Sequence, residues 1–496
     1  MQYVAATWAT WMAGGVAVPL AVSHPPQELE YVIRDAGVSA VLTAPAGHGK
    51  LKDVTHAAGA ALHVVEQGLF EGSDPWLAKC SSSVQQQDWQ DDSSSSGGMR
   101  DASAGALIVY TSGTTGKPKG ALHTHASLAA QVRCLSHAWQ WRGSDAMLHA
   151  LPLHHVHGIV NGLYCAHYSG ASVSLLPKFS PAAVWQQLIV SGSVRASNCE
   201  GDVSVLMAVP TMYSYLLSYY DSHMTPEQQR AARAAAAGLR LAVSGSAAAP
   251  VPLLQRWQAL SGQRLLERYG MTETGMILSN PYEGERRPGF VGLPLPGVEV
   301  KVVQQSSSSS SMPQQGELAV RGPMLFRGYW GRAQATAEAF DAEGYFLTGD
   351  TVSLEGQPPY YRIMGRSSVD VIKSGGFKIS ALDVEGALLA HPGVAEAAVL
   401  GLPDELLGQA VAALIEALKG DALLAQLKGL ARRELPSYCL PRVWRLLHAP
   451  LPRNAMGKVN KKELLATFFP DKVASGGGAA GNSVAAAVVD APADQT

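Results

Sequence analysis

Apolar positions along the chain follow two spacings in turn. From Gln27 to Ala36, Leu29, Val32, Ile33 and Ala36 share one face of a helix; Gly37 ends it, and Val38 to Thr43 reads as the next strand. Ala106-Leu-Ile-Val-Tyr110 is a short run rich in strand-forming residues that breaks into Gly, Ser and Thr, as a buried strand opening into a loop does. Thr225 caps an Ala-rich helix with Pro226 in its first turn and Gly238 at its end, and Leu239 to Gly245 is a strand running into a small-residue turn. After about residue 290 the pattern shortens to strands such as Val298 to Val303 and Gly316 to Arg321, which predict a small β subdomain. From Arg366 onward a compact unit follows: a strand over Val369 to Ile372, a Gly375-Gly376 turn, a helix capped by Ser380 with Asp383 at its third position, and a strand over Val394 to Leu400. The predicted class is α/β throughout, with a small α+β unit at the C-terminal end.

Other stretches carry no such pattern. Residues 80–104, 191–202 and 304–315 are rich in Ser or Gln and too poor in apolar side chains to offset ordering entropy, so they are expected to be disordered insertions. The same expectation holds for the tail 471–496. The apolar start, Met1 to Val22, lacks the basic residues that open a signal peptide and passes directly into the first helix.

A chain of 496 residues exceeds one core and suits two or three domains. Its 47% hydrophobic and 16% charged residues are a globular balance, and its net charge of −2 gives no general pull toward nucleic acid or anionic membrane. The five cysteines are scattered without metal or disulfide spacing, which favours reduced thiols. No apolar run reaches the roughly 18 residues of a spanning helix, so a soluble protein is expected, with no nucleic-acid, membrane or obligate protein partner indicated.

The densest chemistry lies in Tyr110-Thr-Ser-Gly-Thr-Thr-Gly-Lys-Pro-Lys-Gly120. Its glycines let backbone approach an anion, its hydroxyls donate, and Lys117 and Lys119 add charge, so it reads as a phosphate loop. A Walker loop is excluded: only two residues separate Gly113 from Gly116-Lys117, and Pro118 follows where Ser or Thr is required. Three further stretches stand out: Ser244-Gly-Ser-Ala-Ala-Ala-Pro250, Glu267-Arg-Tyr-Gly-Met-Thr-Glu-Thr-Gly275, and Tyr345-Phe-Leu-Thr-Gly-Asp350. With Gly365-Arg366 and the late Pro452-Arg-Asn-Ala-Met-Gly-Lys458, they resemble in order the signature segments of the adenylate-forming enzymes, which comprise acyl-CoA synthetases, adenylation domains and luciferases.

That resemblance implies a large N-terminal AMP-binding domain over 1–365, made of two α/β subdomains and a small β subdomain, and a small mobile C-terminal domain over 366–470. In the family, a segment like Trp11 to Leu20 has several elements before it, so the beginning of the domain is expected to be missing, and with it any targeting peptide; cytosol, mitochondrion and plastid all stay open. ATP would be held by Thr111, Ser112, Gly113, Thr114, Thr115, Gly116 and Lys117, by Gly245 and Ser246 at the adenine turn, and by Glu267, Tyr269, Gly270 and Met271, with Tyr269 stacked on the base. Thr272 would meet the α-phosphate, Glu273 would bind Mg²⁺, Asp350 would accept from the ribose hydroxyls, and Arg366 would contact the nucleotide. Lys458 would catalyse adenylation, Asp370 would be the hinge pivot, and Gly375, Gly376 and Phe377 would line the path of CoA.

For the acid itself, Leu151-Pro-Leu-His-His-Val-His-Gly158 matches the segment lining the acyl pocket, which nominates His155 and His157. The three histidines there lack the accompanying ligands of a zinc site. Arg286 and Arg287 follow the magnesium motif, where a fatty-acid pocket should be apolar, and an arginine can hold a second carboxylate bidentately. These stretches are similar to those of the malonyl-CoA synthetases. The resemblance therefore implies malonate or methylmalonate with ATP and CoA, and Arg286 as ligand of the distal carboxylate. A fatty or aromatic acyl-CoA ligase, a carrier-loading adenylation domain and an inactive nucleotide-binding relic are the alternatives.

Overall fold

The computed structural model describes residues 2–21, 23–65, 101–111, 117–195, 202–303, 315–417, 423–447, 449–453, 459–474 and 488–490. Ser112, Gly113, Thr114, Thr115 and Gly116 of the phosphate loop, Lys458, and most of the expected insertions lie outside these residues. The chain divides into two compact units, one of residues 1–130, 153–155 and 324–336, the other of 131–152, 156–323 and 337–496.

In the first unit the helix Pro26–Asp35 buries Leu29, Val32 and Ile33, the face that the spacing predicts. These side chains pack with Val41, Leu51 and Val54 against a parallel pair of strands, Ala40–Thr43 and Ala61–Val64. The strand Gly105–Thr111 turns back into the antiparallel strand Lys119–Thr124, and Gly328–Tyr329 adds a third strand. Tyr110 donates to Asp35 at 2.8 Å, while Tyr31 donates to the Pro118 carbonyl at 2.8 Å, so the entry to and exit from residues 112–116 are both tied to one helix.

The second unit is built on a seven-stranded sheet. Five strands run parallel in the spatial order Ser172–Leu175, Ala146–His149, Val205–Ala208, Leu241–Ser244, Leu266–Met271; Gly275–Ser279 and Leu293–Pro294 close the edge antiparallel. The chain leaves Ala146–His149 for the strand on one side and then returns to Val205–Ala208 on the other. That reversal is where open α/β sheets form ligand crevices, beyond the carboxyl ends of the strands. The segments that follow His149, Ser244 and Met271 all leave from this edge. They are the segments singled out from the sequence.

Beyond it, Glu299–Val303, Gln315–Arg321, Phe346–Glu355 and Tyr360–Arg366 form the expected small antiparallel sheet. Val394–Asp404 and Gly408–Ala417 form a long antiparallel pair in the last sheet, with Phe377–Ser380, Val371–Ser374 and Val443–Leu447 beside it. Helices Ala381–Leu388 and Leu423–Glu434 cover one face through Leu388, Leu423 and Leu427, and helix Lys461–Phe468 covers the other through Leu464 and Phe468.

Three expectations of disorder need correcting. Residues 191–195 continue the helix Pro181–Arg195, and residues 101–104 form a turn in which the Ser103 amide donates to Asp101 at 2.9 Å. The tail contains a helix, Pro470–Ala474, and a strand, Val488–Asp490, paired antiparallel with Val443–Leu447. For Val488–Asp490 it is the neighbouring strand Val443–Leu447 that supplies the hydrogen bonds.

Candidate active site

The strand Leu266–Met271 alternates its side chains, so Glu267 and Tyr269 leave one face and Arg268 the other. Tyr269 donates its phenolic hydrogen to Asp350, which comes from the small antiparallel sheet. Arg366 Nε lies 2.9 Å from the other Asp350 oxygen, and Arg366 Nη1 donates to the Thr348 carbonyl at 2.7 Å. Three residues nominated separately are thus joined, with Asp350 only 6% exposed. Burial pushes the Asp350 carboxyl above its ordinary range against the pull of Arg366. Burial opposes the charge of Arg366, yet Asp350, Tyr269 and Glu273 together hold it above its usual value. One Asp350 oxygen accepts from Tyr269 and the other is ion-paired with Arg366, so the carboxylate is held from both sides.

The turn Met271 to Gly275 is tight because backbone must pass close to backbone. A side chain at Gly270 would meet the Gly275 carbonyl at 2.1 Å, and Thr274 accepts from the Met271 amide at 3.2 Å. Glu273, in this turn, is buried and contributes to the field at Arg366. No group of three or more His, Cys, Asp or Glu among the described residues could hold a metal alone. The single hard carboxylate of Glu273 suits a magnesium ion that takes its other ligands from phosphate and water, which is how this cation is usually bound.

On the opposite face lies a residue that the sequence motif contained but to which no role was given. Arg268 is 3% exposed and pairs with no carboxylate among the described residues. Its Nη2 donates to Ser246 Oγ at 3.3 Å, and its Nε has no partner among the described residues. Burial drives its pKa down to about 9. Ser246 has a left-handed backbone, φ 70°, and also meets His157 Nδ1 at 3.2 Å. Gly245 is forced by the same guanidinium, since a Cβ there would lie 2.6 Å from it. His157 starts a π-helical segment, His157–Tyr164, a conformation that recurs at functional sites. The signal available in sequence was its charge, inside a motif whose neighbours on both sides, Glu267 and Tyr269, already had roles.

The remaining nominees are placed as follows. Arg286, expected to hold a second carboxylate, gives its guanidinium to three backbone carbonyls: Pro281 at 3.2 Å, Arg264 at 2.7 Å and Tyr282 at 2.8 Å. It lines a shallow cleft with Leu254, Leu265 and Glu267, and its bonds are those of a loop tie. Arg287 lies over the Tyr360 ring at 4.0 Å and pairs with Glu285. Glu267 accepts from the Gly289 amide at 3.0 Å, and burial pushes its pKa up to about 8. In the first unit, Thr111 ends its strand, Lys117 lies 5.5 Å from the Tyr31 ring centre, and His155 packs on His154. Gly375 and Gly376, at φ 55° and 85°, make the turn between Val371–Ser374 and Phe377–Ser380, and the half-exposed Phe377 stacks on Tyr438 at 4.3 Å. Asp370 accepts from the Arg366 amide at 3.0 Å and from Lys461 at 2.6 Å. Among the described residues no helix is long and apolar enough to cross a membrane.

Residues 1–330 match the AMP-binding enzyme family, and 383–458 match the C-terminal domain of AMP-binding enzymes. The mitochondrial malonate–CoA ligase of mouse (Mus musculus) is 44% identical over 492 residues, covering 95% of this chain and 80% of the relative. ATP-bound MatB of Rhodopseudomonas palustris superposes with a TM-score of 0.73 at 32% identity, over 92% of this chain and 84% of that one. A malonyl-CoA ligase holding methylmalonyl-CoA and AMP gives 0.58 at 38% identity, over 91% and 89%. These likenesses lead to one statement: the chain belongs to the AMP-binding enzyme family.

Proposed function

We propose that the protein is an ATP-dependent malonate–CoA ligase that works through a malonyl-adenylate. The observation that carries the reading is Arg268, a buried guanidinium beside Ser246 and His157 without a carboxylate partner among the described residues. A buried cation without a counter-ion costs several kcal/mol, which an anionic ligand offsets. One carboxylate of the acid must be free to react with ATP. A second, fixed at Arg268, distinguishes malonate from acetate or a fatty acid and leaves the reacting end directed away from the guanidinium.

In the first half-reaction a carboxylate oxygen of malonate attacks the α-phosphorus, an oxygen–phosphorus bond forms, and pyrophosphate leaves. Asp350 and Arg366 orient the ribose, Thr272 donates at the α-phosphate, and Lys458 neutralises the charge that builds there. Glu273 would hold a magnesium ion on the protein side, and the ion would supply charge neutralisation for the phosphates. In the second half-reaction the CoA thiol attacks the acyl carbon and AMP leaves, with Gly375, Gly376 and Phe377 on the thiol's path. A mitochondrial location, as in the name of the mouse relative, fits this reading.

The test is a panel of acids with ATP, Mg²⁺ and CoA, scored by AMP release. Malonate is expected to give the highest kcat/KM, with methylmalonate next. Preference for acetate, a long fatty acid or a cinnamate-type acid overturns the substrate and leaves the chemistry standing; no AMP release with any acid favours the inactive relic.

A further inference from the structure

The small antiparallel sheet loses its regular pairing where Asp350 leaves it. Strands Gln315–Arg321 and Phe346–Glu355 pair Glu317 with Thr351 and Ala319 with Leu347, so that Leu318 alone faces Thr348, Gly349 and Asp350. A bulge of this kind takes backbone groups out of the ladder and re-aims the side chains it carries. With Thr348 and Asp350 buried, the backbone groups freed beside them need other partners.

Side chains supply those partners. Thr348 Oγ1 donates to the Leu318 carbonyl at 2.7 Å and accepts from the Asp350 amide at 3.1 Å, so one hydroxyl stands in for the missing rung. The Gly349 amide donates to Glu317 Oε1 at 3.1 Å, and the Gly349 carbonyl accepts from the Ser367 amide at 2.9 Å. Gly349 has a left-handed backbone, φ 72°, and a Cβ there would lie 3.2 Å from the Arg366 guanidinium. The Asp350 backbone is therefore set through Thr348 and Glu317, while its carboxylate is held by Tyr269 and Arg366.

Glu317 holds the bulge and at the same time works against the charge of Asp350. Burial is the main cause that lifts the Asp350 carboxyl above its ordinary range, and the charges of Asp370 and Glu317 add to it. A glutamine in place of Glu317 would keep an acceptor for the Gly349 amide and drop the repulsion, which separates the two effects.

We propose that Glu317 and Thr348 are positioning residues for the nucleotide: they fix the bulge from which Asp350 presents its carboxylate to the ribose hydroxyls. The proposal rests on Asp350 being the ribose acceptor. Both residues act through Asp350, so their effect is confined to recognition of the ribose hydroxyls.

The full chain is purified with Glu317→Ala, Glu317→Gln, Thr348→Val, Asp350→Ala and the double variant Glu317→Ala with Asp350→Ala. Binding of ATP, and of a dideoxy-ATP that lacks both ribose hydroxyls, is titrated in the absence of acid. Glu317→Ala and Thr348→Val should each weaken ATP binding by about 10-fold, the scale of one hydrogen bond to a charged group. Binding of dideoxy-ATP should stay as it is in both, and Glu317→Gln should recover the affinity for ATP. In the double variant, removal of Glu317 should add nothing to the loss caused by Asp350→Ala, because the two act as one unit. Thr348→Val keeps the shape of threonine without its hydroxyl and reads the same bulge where Glu317→Ala does not fold. Equal losses for ATP and dideoxy-ATP, undiminished ATP binding in both Glu317→Ala and Thr348→Val, or a further loss in the double variant overturns the proposal. Unchanged ATP affinity in Asp350→Ala overturns the reading of Asp350 itself, whatever Glu317 does.

Discussion

Tyr269 and Asp350 come from different sheets and meet through one hydrogen bond, phenol to carboxylate. The tyrosine expected to lie flat on adenine thereby also orients the acid expected to hold the ribose. Asp350→Ala should weaken ATP binding, since each ribose hydroxyl loses a charged acceptor worth about 1.5–3 kcal/mol. Tyr269→Phe keeps the ring and the charge and should cost less. Titration with ATP in the absence of acid measures both, and an unchanged affinity in Asp350→Ala would remove it from the site.

Arg268 supports a prediction in which stability and activity move in opposite directions. Its folded-state pKa of about 9 lies below the ordinary guanidinium value, so at neutral pH the cation is present in both folded and unfolded chains, and the folded one bears the desolvation cost. Arg268→Met should raise the Tm of the ligand-free protein, or leave it unchanged, while KM for malonate rises by two or more orders of magnitude, about 3 kcal/mol. Malonate should raise the Tm of the native protein and not of the variant. Malonate binding that survives the substitution would take the second carboxylate elsewhere.

Gly245 reports on the same contact from the other side. Its absent Cβ would stand 2.6 Å from the Arg268 guanidinium, too close for any real side chain. Gly245→Ala should push the guanidinium away from Ser246 and raise KM for malonate with little change in KM for ATP. Equal increases in both would mean that the alanine disturbs the adenine turn instead.

Local signals in the sequence survived folding; non-local ones did not. The Thr225–Gln228 capping box and the Ser380 cap form as read, because each needs only residues three apart. Arg268 escaped notice because its partner Ser246, itself in contact with His157, lies far off in sequence and arrives by parallel strand pairing. Arg286 was given a ligand's role for its charge and its neighbourhood, yet no sequence pattern discloses that three carbonyls converge on one guanidinium. Similarly, Val488–Asp490 is too short to declare itself and exists through its pairing with Val443–Leu447.

Glu267 gives the protein a stability that depends on pH in a calculable direction. Glu267 is 6% exposed, its carboxyl accepts from the Gly289 amide, and burial pushes its pKa up to about 8, against an ordinary value of 4.5. Below pH 4.5 the group is protonated in folded and unfolded chains alike. Between 4.5 and about 8 the unfolded chain releases this proton and the folded chain keeps it, so its contribution to stability declines as pH rises through that window. The slope for one proton is at most about 1.4 kcal/mol per pH unit. Chemical denaturation at several pH values should therefore show Glu267→Gln losing less stability than the native protein between pH 5 and pH 8. The glutamine keeps a carbonyl for the Gly289 amide and has no proton to release. Parallel pH profiles for the two proteins would mean that Glu267 is ionised in the folded state.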